Sequence, residues 1–510
     1  MDYGVLLKVR MVMHQLSFFQ ELKTKSPPVR RYFSHNGVCS DEARQALEKQ
    51  YAPLLVETGK FNRQLVSFQA NKTEILHGWF KYREGFSAEL VELLFDELQI
   101  QPADTILDPF AGSATTLLAA QLHGMNGVGI ELLPHCHLAW QAKSAVFDYN
   151  LDELRQVRSL VEESSPPPVA EPFPHLTITE SAFPPQVEAD LMAYTRWFEK
   201  LDVGPRTKML CRFILMSLLE DVSYTRKDGQ YLRWDRRAEK IRRHNEKRQA
   251  QGKKPIRGID KGAIPTVKQT FLERLSKIIV DVSRLQAEQK RPESGRQELI
   301  EGSTLYILPT LPADSFDAVI TSPPYANRYD YTRTYALELA YLGIDDKIFN
   351  LRQNQLSCTV ENKSKENDLR AFYHSMGQGQ QFERILTIVG TNEVLAEINA
   401  ALATRYERGE VNNRGILTMI AQYFLELTFV FAELYRVCRR GARVAVVNDN
   451  VRYAGEIIPV DTLSTALAEQ VGFAPKKIYV LPQRKGNSSQ QMGRFGREPL
   501  RKSITIWQKV

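Results

Sequence analysis

The clearest pattern of apolar and polar positions begins in residues 81–98, KYREGFSAELVELLFDEL. A turn at Gly85 and a helix N-cap at Ser87 introduce an amphipathic helix with Leu90, Val91, Leu94 and Leu98 on its apolar face. Thr105-Ile106-Leu107 then reads as a short strand, followed by the turn Asp108-Pro109-Phe110-Ala111-Gly112-Ser113 and a helix over residues 114–123 that ends at Gly124. A second strand over residues 127–131 closes on Glu131, and Leu133-Pro134 start another helix running to about residue 147. Strand, glycine turn, helix and a strand with a terminal acid make the first half of a doubly wound, mostly parallel α/β sheet.

The pattern then changes. Residues 162–174, rich in Ser, Pro and Glu, read as a linker, and residues 187–290 are mostly helical in period. Sheet-like sequence resumes at residues 303–308, and residues 316–320, apolar except for Asp317, form a strand running into Thr321-Ser322-Pro323-Pro324-Tyr325. A further insertion covers about residues 347–413. A helix over 417–436, closed by Arg439-Arg440-Gly441, leads into a strand over 442–447. A helix over 460–471 and strands over 477–481 and 503–508 complete the sheet with a hairpin. The expected organisation is an extension of unclear role (1–75), the first half of the sheet domain (76–154), a basic, mainly helical insertion (155–300), the segment 301–346, a second insertion (347–415) and the remaining half of the sheet (416–510).

The chain has 510 residues, more than one ordinary core needs, and two insertions in one sheet domain account for that length better than tandem domains. A composition of 43% apolar and 25% charged residues is that of a globular protein. No stretch approaches the roughly 18 consecutive apolar residues of a membrane span. Residues 1–16 lack a small-residue cleavage pattern and read as structured rather than as a signal peptide. Five cysteines without a CxxC pair form neither a disulfide framework nor a metal knuckle, which fits a reducing, cytoplasmic setting. The net charge of +7 is unevenly spread: residues 226–268 hold 15 Lys and Arg against 5 Asp and Glu. Such a segment is either a solvated basic face or a surface that neutralises phosphates.

The turn at Asp108 to Ser113 lies where ligands bind in this architecture, at the carboxyl edge of the sheet. Gly112 lets the chain pass close under a bound molecule, and Glu131 is placed to accept hydrogen bonds from ribose hydroxyls. A pyrophosphate-bearing dinucleotide would call for GxGxxG, and an ATPase for GxxxxGK[ST]; the chain has neither. Phe110, Ile130 and Leu132 instead suit the packing of a phosphate-free adenosine.

Asp108-Pro109-Phe110-Ala111-Gly112-Ser113 resembles the cofactor turn of the amino-methylating DNA methyltransferases, and Thr321-Ser322-Pro323-Pro324-Tyr325 is similar to their catalytic motif. Residues 79–91, WFKYREGFSAELV, resemble the element these enzymes place before the turn, against the methionine part of the cofactor. The resemblance covers about residues 79–150, 303–345 and 418–510, and it departs at Ala114, where a second glycine is commoner, and at Ser303, where an acid often holds the adenine end. It implies a seven-stranded Rossmann-like methyltransferase sheet, S-adenosylmethionine as cofactor with S-adenosylhomocysteine as product, and no metal. The implied cofactor contacts are Phe86, Ser87, Asp108, Pro109, Phe110, Ala111, Gly112, Ser113, Glu131 and Leu132. The order of motifs makes 155–300 the target-recognition region, with double-stranded DNA as partner. A cognate restriction endonuclease is an admissible companion, no membrane is involved, monomer and homodimer stay open, and the setting is a prokaryotic nucleoid.

The reaction this implies needs an amine whose lone pair is released from the base ring. Ser322 and the carbonyl of Pro323 can accept its two hydrogens, Pro323 and Pro324 stiffen the loop, and Tyr325 offers a face to an extruded base. Within the resembled family, Ser before the two prolines favours N4 of cytosine over N6 of adenine. A carbon-5 enzyme would need a Cys after Pro, which the chain lacks. The candidate DNA contacts are Arg233, Arg236, Arg237, Arg242, Arg243, Arg328, Tyr453 (a second stacking face or simple packing), Arg484 and Arg494. The last two lie in a basic polar loop over residues 483–502. His135 and His137 read as packing or surface residues. An RNA base-amino methyltransferase and a catalytically silent DNA-binding protein of the same fold remain as alternatives.

Overall fold

Strand residues of period two are buried on both sides. Leu107, Val319, Val444 and Val446 enter one core, while Ile106, Ala318, Ile320, Ala445 and Val447 enter another. This double burial explains why the strands read as nearly continuous apolar runs. The computed structural model describes residues 24–228, 231–288, 292, 295–481 and 495–510. In chain order its strands are β1 (Leu55–Val56), β2 (Thr105–Asp108), β3 (Asn126–Glu131), β4 (Thr225–Asp228), β5 (Tyr231–Trp234), β6 (Gln297–Glu301), β7 (Phe316–Thr321), β8 (Cys438–Asp449), β9 (Val451–Tyr453), β10 (Glu456–Ile458), β11 (Phe473–Leu481) and β12 (Lys502–Lys509).

Eight of them form one sheet in the order β1-β11-β12-β8-β7-β2-β3-β6, and β4–β5 and β9–β10 are separate antiparallel pairs. From β8 through β7, β2 and β3 to β6 all pairings are parallel, and β12 inserts antiparallel between β8 and β11. Helices Ala88–Leu98 and Thr115–Leu122 contribute to the core on one side, and Gly415–Val437 and Val460–Val471 cover the other. The result is a mixed α/β sheet consistent with a Rossmann-like methyltransferase fold.

Two expectations are corrected. Among the described residues the sheet has eight strands rather than seven, because β1, two residues long and parallel to β11, comes from the amino-terminal extension and is too short to show a period. Residues 303–308 are not sheet: the strand is Gln297–Glu301, and Thr304–Ile307 is a helical turn. Gly302, at φ +148°, donates its N–H to the Glu131 carbonyl as the chain leaves β6, and Leu305 and Leu308 then enter the core at helical spacing. β8 also begins earlier than expected, at Cys438.

Both insertions are mainly helical. The first carries Leu151–Glu163, Pro185–Lys200, Pro205–Val222, the β4–β5 hairpin, Glu239–Ala250 and Val267–Glu288. The second carries Ile348–Asn354, Glu366–Ser375, Gly379–Gly390 and Glu393–Glu407. It is locked to helix Gly415–Val437 by a buried pair, Lys365 Nζ to Glu426 Oε1 at 2.8 Å. Gly415–Val437 is long and apolar enough to cross a bilayer, and most of it is buried inside the fold. The extension is fastened by buried Arg44, which reaches Glu397 of the second insertion (2.8 Å) and Glu456 of β10 (3.1 Å). Residues 1–16, expected to be structured, lie outside the described residues.

Candidate cofactor and catalytic site

Because β2 and β7 are adjacent and parallel, the turn after one and the loop after the other emerge side by side. One hydrogen bond joins them: Thr321 Oγ1 donates to Asp108 Oδ1 at 2.8 Å. Asp108 also accepts from Thr116 Oγ1 (2.7 Å) and from the N–H of Phe110 (3.2 Å). Burial pushes its carboxyl up to about 6 despite these donors.

Gly112 sits at φ +52°, and a Cβ there would lie 2.8 Å from the Tyr82 ring. Both its backbone conformation and the close approach of Tyr82 therefore favour glycine. Ala114, where the resembled family favours a second glycine, adopts the left-handed conformation at φ +63°. Glu131 accepts from the N–H groups of Gly112 (2.8 Å) and Leu133 (2.7 Å), so the strand-end acid and the turn are held together. Burial raises its carboxyl above the ordinary glutamate range.

A cleft opens over this edge. Phe86, Phe110, Ala111, Gly112, Ser113, Glu131 and Leu132 line it, as do Ser322 and Pro324 of the two-proline loop. Three expected cofactor residues point elsewhere. Ser87 Oγ accepts from the N–H of Leu90 as the helix cap, Asp108 faces inward, and the Pro109 carbonyl accepts from the Thr304 hydroxyl. Among the described residues lining the cleft there is no Lys or Arg, whereas Glu84 and Glu131 both contribute. Glu84 accepts from the hydroxyls of Tyr329 and Tyr335, yet burial still raises its carboxyl. Such a lining disfavours phosphates and suits a ligand that carries positive charge, as an adenosyl sulfonium does. Tyr82 and Glu84 lie within the quoted segment 79–91 but were not singled out by type. Asn354, Gln355 and Leu356 come from the second insertion, where nothing in the sequence pattern marked them.

Ser322 Oγ lies 3.2 Å from the Val447 carbonyl at the end of β8 and 3.2 Å from the Tyr325 hydroxyl. Oγ donates toward both acceptors but carries one proton; when that proton is directed at the Val447 carbonyl, lone pairs of Oγ stay available. The Lys502 ammonium stands 4.9 Å from the Tyr325 ring centroid and 3.7 Å from Asp449. Burial alone would lower this lysine, but Asp449 and Tyr325 together raise it. Asn448-Asp449-Asn450 follow a strand at this sheet edge and Lys502 ends a basic segment, but that the two meet depends on the β8–β12 pairing, which the sequence pattern does not show. Tyr453 is packed rather than open: it is buried and its hydroxyl donates to the Ala326 carbonyl at 2.5 Å, with the Arg328 guanidinium 6.0 Å from its ring.

The basic insertion meets this site through the β4–β5 hairpin, which packs on helix Tyr331–Thr334 just after the catalytic loop. Lys227 of β4 forms a buried ion pair with Glu338 and lies 4.4 Å from the Tyr335 ring centroid. Of the candidate DNA contacts, Arg233 pairs with Asp228, Arg236 with Asp260 (2.9 Å), Arg237 with Asp235 (2.8 Å) and Arg243 with Glu239. Arg242 is exposed on helix Glu239–Ala250, which buries none of its residues. Arg484 and Arg494 lie outside the described residues.

A family model described as DNA methylase matches residues 28–141. The chain is 55% identical over 479 residues to the type II methyltransferase M.BsoBI of Geobacillus stearothermophilus, covering 94% of each protein. It is 39% identical over 480 residues to the type II methyltransferases M.AvaI of Nostoc sp. and of Anabaena variabilis, covering 91% of this chain and 93% of those proteins. With its glycine turn, two-proline loop and shared cleft on one sheet edge, the chain belongs to the amino-methylating DNA methyltransferases, a family whose cofactor is S-adenosylmethionine.

Proposed function

We propose that the protein methylates the exocyclic N4 amine of a flipped cytosine in double-stranded DNA. The observation that carries this reading is the bond from Thr321 to Asp108, which fastens Ser322-Pro323-Pro324-Tyr325 to the wall of the cleft. S-Adenosylmethionine, when bound there, supplies an electrophilic methyl group. Phe86, Phe110 and Leu132 give it apolar surface, Gly112 and Ser113 let it approach the backbone, and Glu131 accepts ribose hydroxyls. The buried carboxylates of Glu84 and Glu131 favour its positive charge.

Tyr325 receives the extruded base on one face of its ring while Lys502 occupies the other. With its proton turned to the Val447 carbonyl, Ser322 Oγ accepts one amino hydrogen and the Pro323 carbonyl accepts the other. This draws the nitrogen toward tetrahedral geometry and frees its lone pair. The rigid prolines hold both acceptors in place before the base arrives, so little ordering remains to be done in the reaction. The serine before the prolines favours cytosine N4 over adenine N6, as in the family the loop resembles.

Residues 155–300 act as the target-recognition region: the β4–β5 hairpin sets the basic segment beside the loop that must receive the base. Likeness to DNA methyltransferases along nearly the whole chain favours DNA over RNA, and activity over a silent DNA-binding role. Mass spectrometry of nucleosides from the DNA of cells expressing the protein should reveal N4-methylcytosine. N6-methyladenine in its place would overturn the assignment of the base, and no modified base at all would overturn the activity.

A further inference from the structure

Gln355 is buried at 7% exposure, and neither its amide oxygen nor its amide nitrogen has a hydrogen-bond partner. It lines the cleft. The position is built rather than loose. On one side, the Asn354 carbonyl accepts from Ser303 Oγ at 2.6 Å; on the other, the Ser357 N–H donates to buried Glu426 at 2.8 Å. Leaving both ends of a buried primary amide unpaired is costly, and in a solvent-accessible cleft the cost is recovered by ordered water or by a ligand with a matching donor and acceptor.

The sheet order says which part of a ligand that is. Ser322 follows β7, the glycine turn follows β2, Glu131 ends β3, and Ser303 follows β6, so these groups succeed one another along the cleft. A ligand with its reactive end at Ser322 and its sugar at Glu131 places its base beyond the sugar, beside Ser303 and Gln355. Ser303 brings no carboxylate, and its hydroxyl is spent on Asn354.

We propose that Gln355, contributed by the second insertion, reads the adenine edge of the cofactor. Its amide oxygen accepts from the 6-amino group and its amide N–H donates to a neighbouring ring nitrogen, the bidentate match by which Gln recognises adenine in nucleic acids. This rests on the reading of the cleft as the S-adenosylmethionine site. It gives the second insertion a role in cofactor selection.

Calorimetric titration of the full-length protein with S-adenosylhomocysteine, and with the matching conjugate of purine riboside that lacks the 6-amino group, tests it. The wild type should prefer the amino conjugate by about tenfold or more. Gln355→Met should abolish that preference while raising the melting temperature of the ligand-free protein, because a buried unpaired amide is removed. Gln355→Glu, which keeps an acceptor, should retain the preference. A wild type that does not discriminate, or a preference that survives in Gln355→Met, would overturn the role of Gln355 while leaving the cofactor site intact. Binding of neither conjugate by the wild type would overturn the cofactor site itself.

Discussion

Asp108 is an acid whose oxygens already serve a serial purpose: one receives Thr321 and the Phe110 N–H, the other Thr116. It joins the glycine turn to the two-proline loop instead of reaching the cleft, and burial lifts its carboxyl from 3.8 to about 6. A raised folded-state value means that the native protein holds the proton more tightly than the unfolded chain does. The corresponding stability is therefore complete below about pH 4 and is lost as pH rises through about 6, a change of about 3 kcal/mol for roughly two pKa units. Asp108→Asn removes this titration. Urea denaturation should show the stability of the wild type falling relative to Asp108→Asn between pH 4 and 6 and running parallel to it above 7. A difference that stays flat across pH 4–7 would mean that Asp108 keeps an ordinary acidity in the fold. At this scale the sequence marks Asp108 as a cofactor contact, whereas the fold turns it inward, where it joins two loops.

At the scale of elements, the turn depends on the ring packed beneath it. In Gly112→Ala the new methyl meets Tyr82 at 2.8 Å and the backbone keeps a left-handed φ of +52°. The conformational strain costs about 1–2 kcal/mol by itself. Tyr82 lines the cleft, so relief of the clash by moving its ring alters the cofactor surface as well. Thermal unfolding should register a loss of about 1–3 kcal/mol, and calorimetry a weaker affinity for S-adenosylhomocysteine. Retention of both properties would show that the turn has room that its geometry denies. The turn and the two-proline loop were legible because each joins a doubly buried strand to a following loop within a few residues. β1 was not, being two residues long, and residues 303–308 misled because the unbroken apolar run Leu305-Tyr306-Ile307-Leu308 suits a doubly buried strand as well as a helical turn. Gln355 was beyond reach, since its place is set by Ser303 and Glu426, 52 residues before it and 71 after it.

Across the whole molecule, the insertions divide the work around one sheet edge. The second closes the cleft beside β6, while the first is anchored next to the two-proline loop by the β4–β5 hairpin, whose Lys227 is neutralised by buried Glu338. The sequence could show that residues 226–268 carry a local excess of about ten positive charges, but not which of them are already neutralised. Arg233, Arg236, Arg237 and Arg243 have acidic partners on or beside their own elements, which lowers what each would gain from a phosphate. Helix Glu239–Ala250 is different, because it buries no residue and leaves Arg242, Arg243 and Lys247 exposed. A triple variant, Arg242→Gln, Arg243→Gln and Lys247→Gln, should therefore leave folding and S-adenosylhomocysteine binding as they are. If all three residues contact phosphates, the slope of log affinity against log salt should become shallower by about 3, at roughly 0.9 per phosphate contact. Fluorescence anisotropy of a labelled duplex from 50 to 300 mM salt, on the order of the range over which phosphate contacts are lost, measures that slope. Arg243 alone must also give up Glu239, so Arg243→Gln should weaken binding less than Arg242→Gln does. An unchanged slope in the triple variant would move the footprint away from this helix, toward the catalytic-loop side of the hairpin.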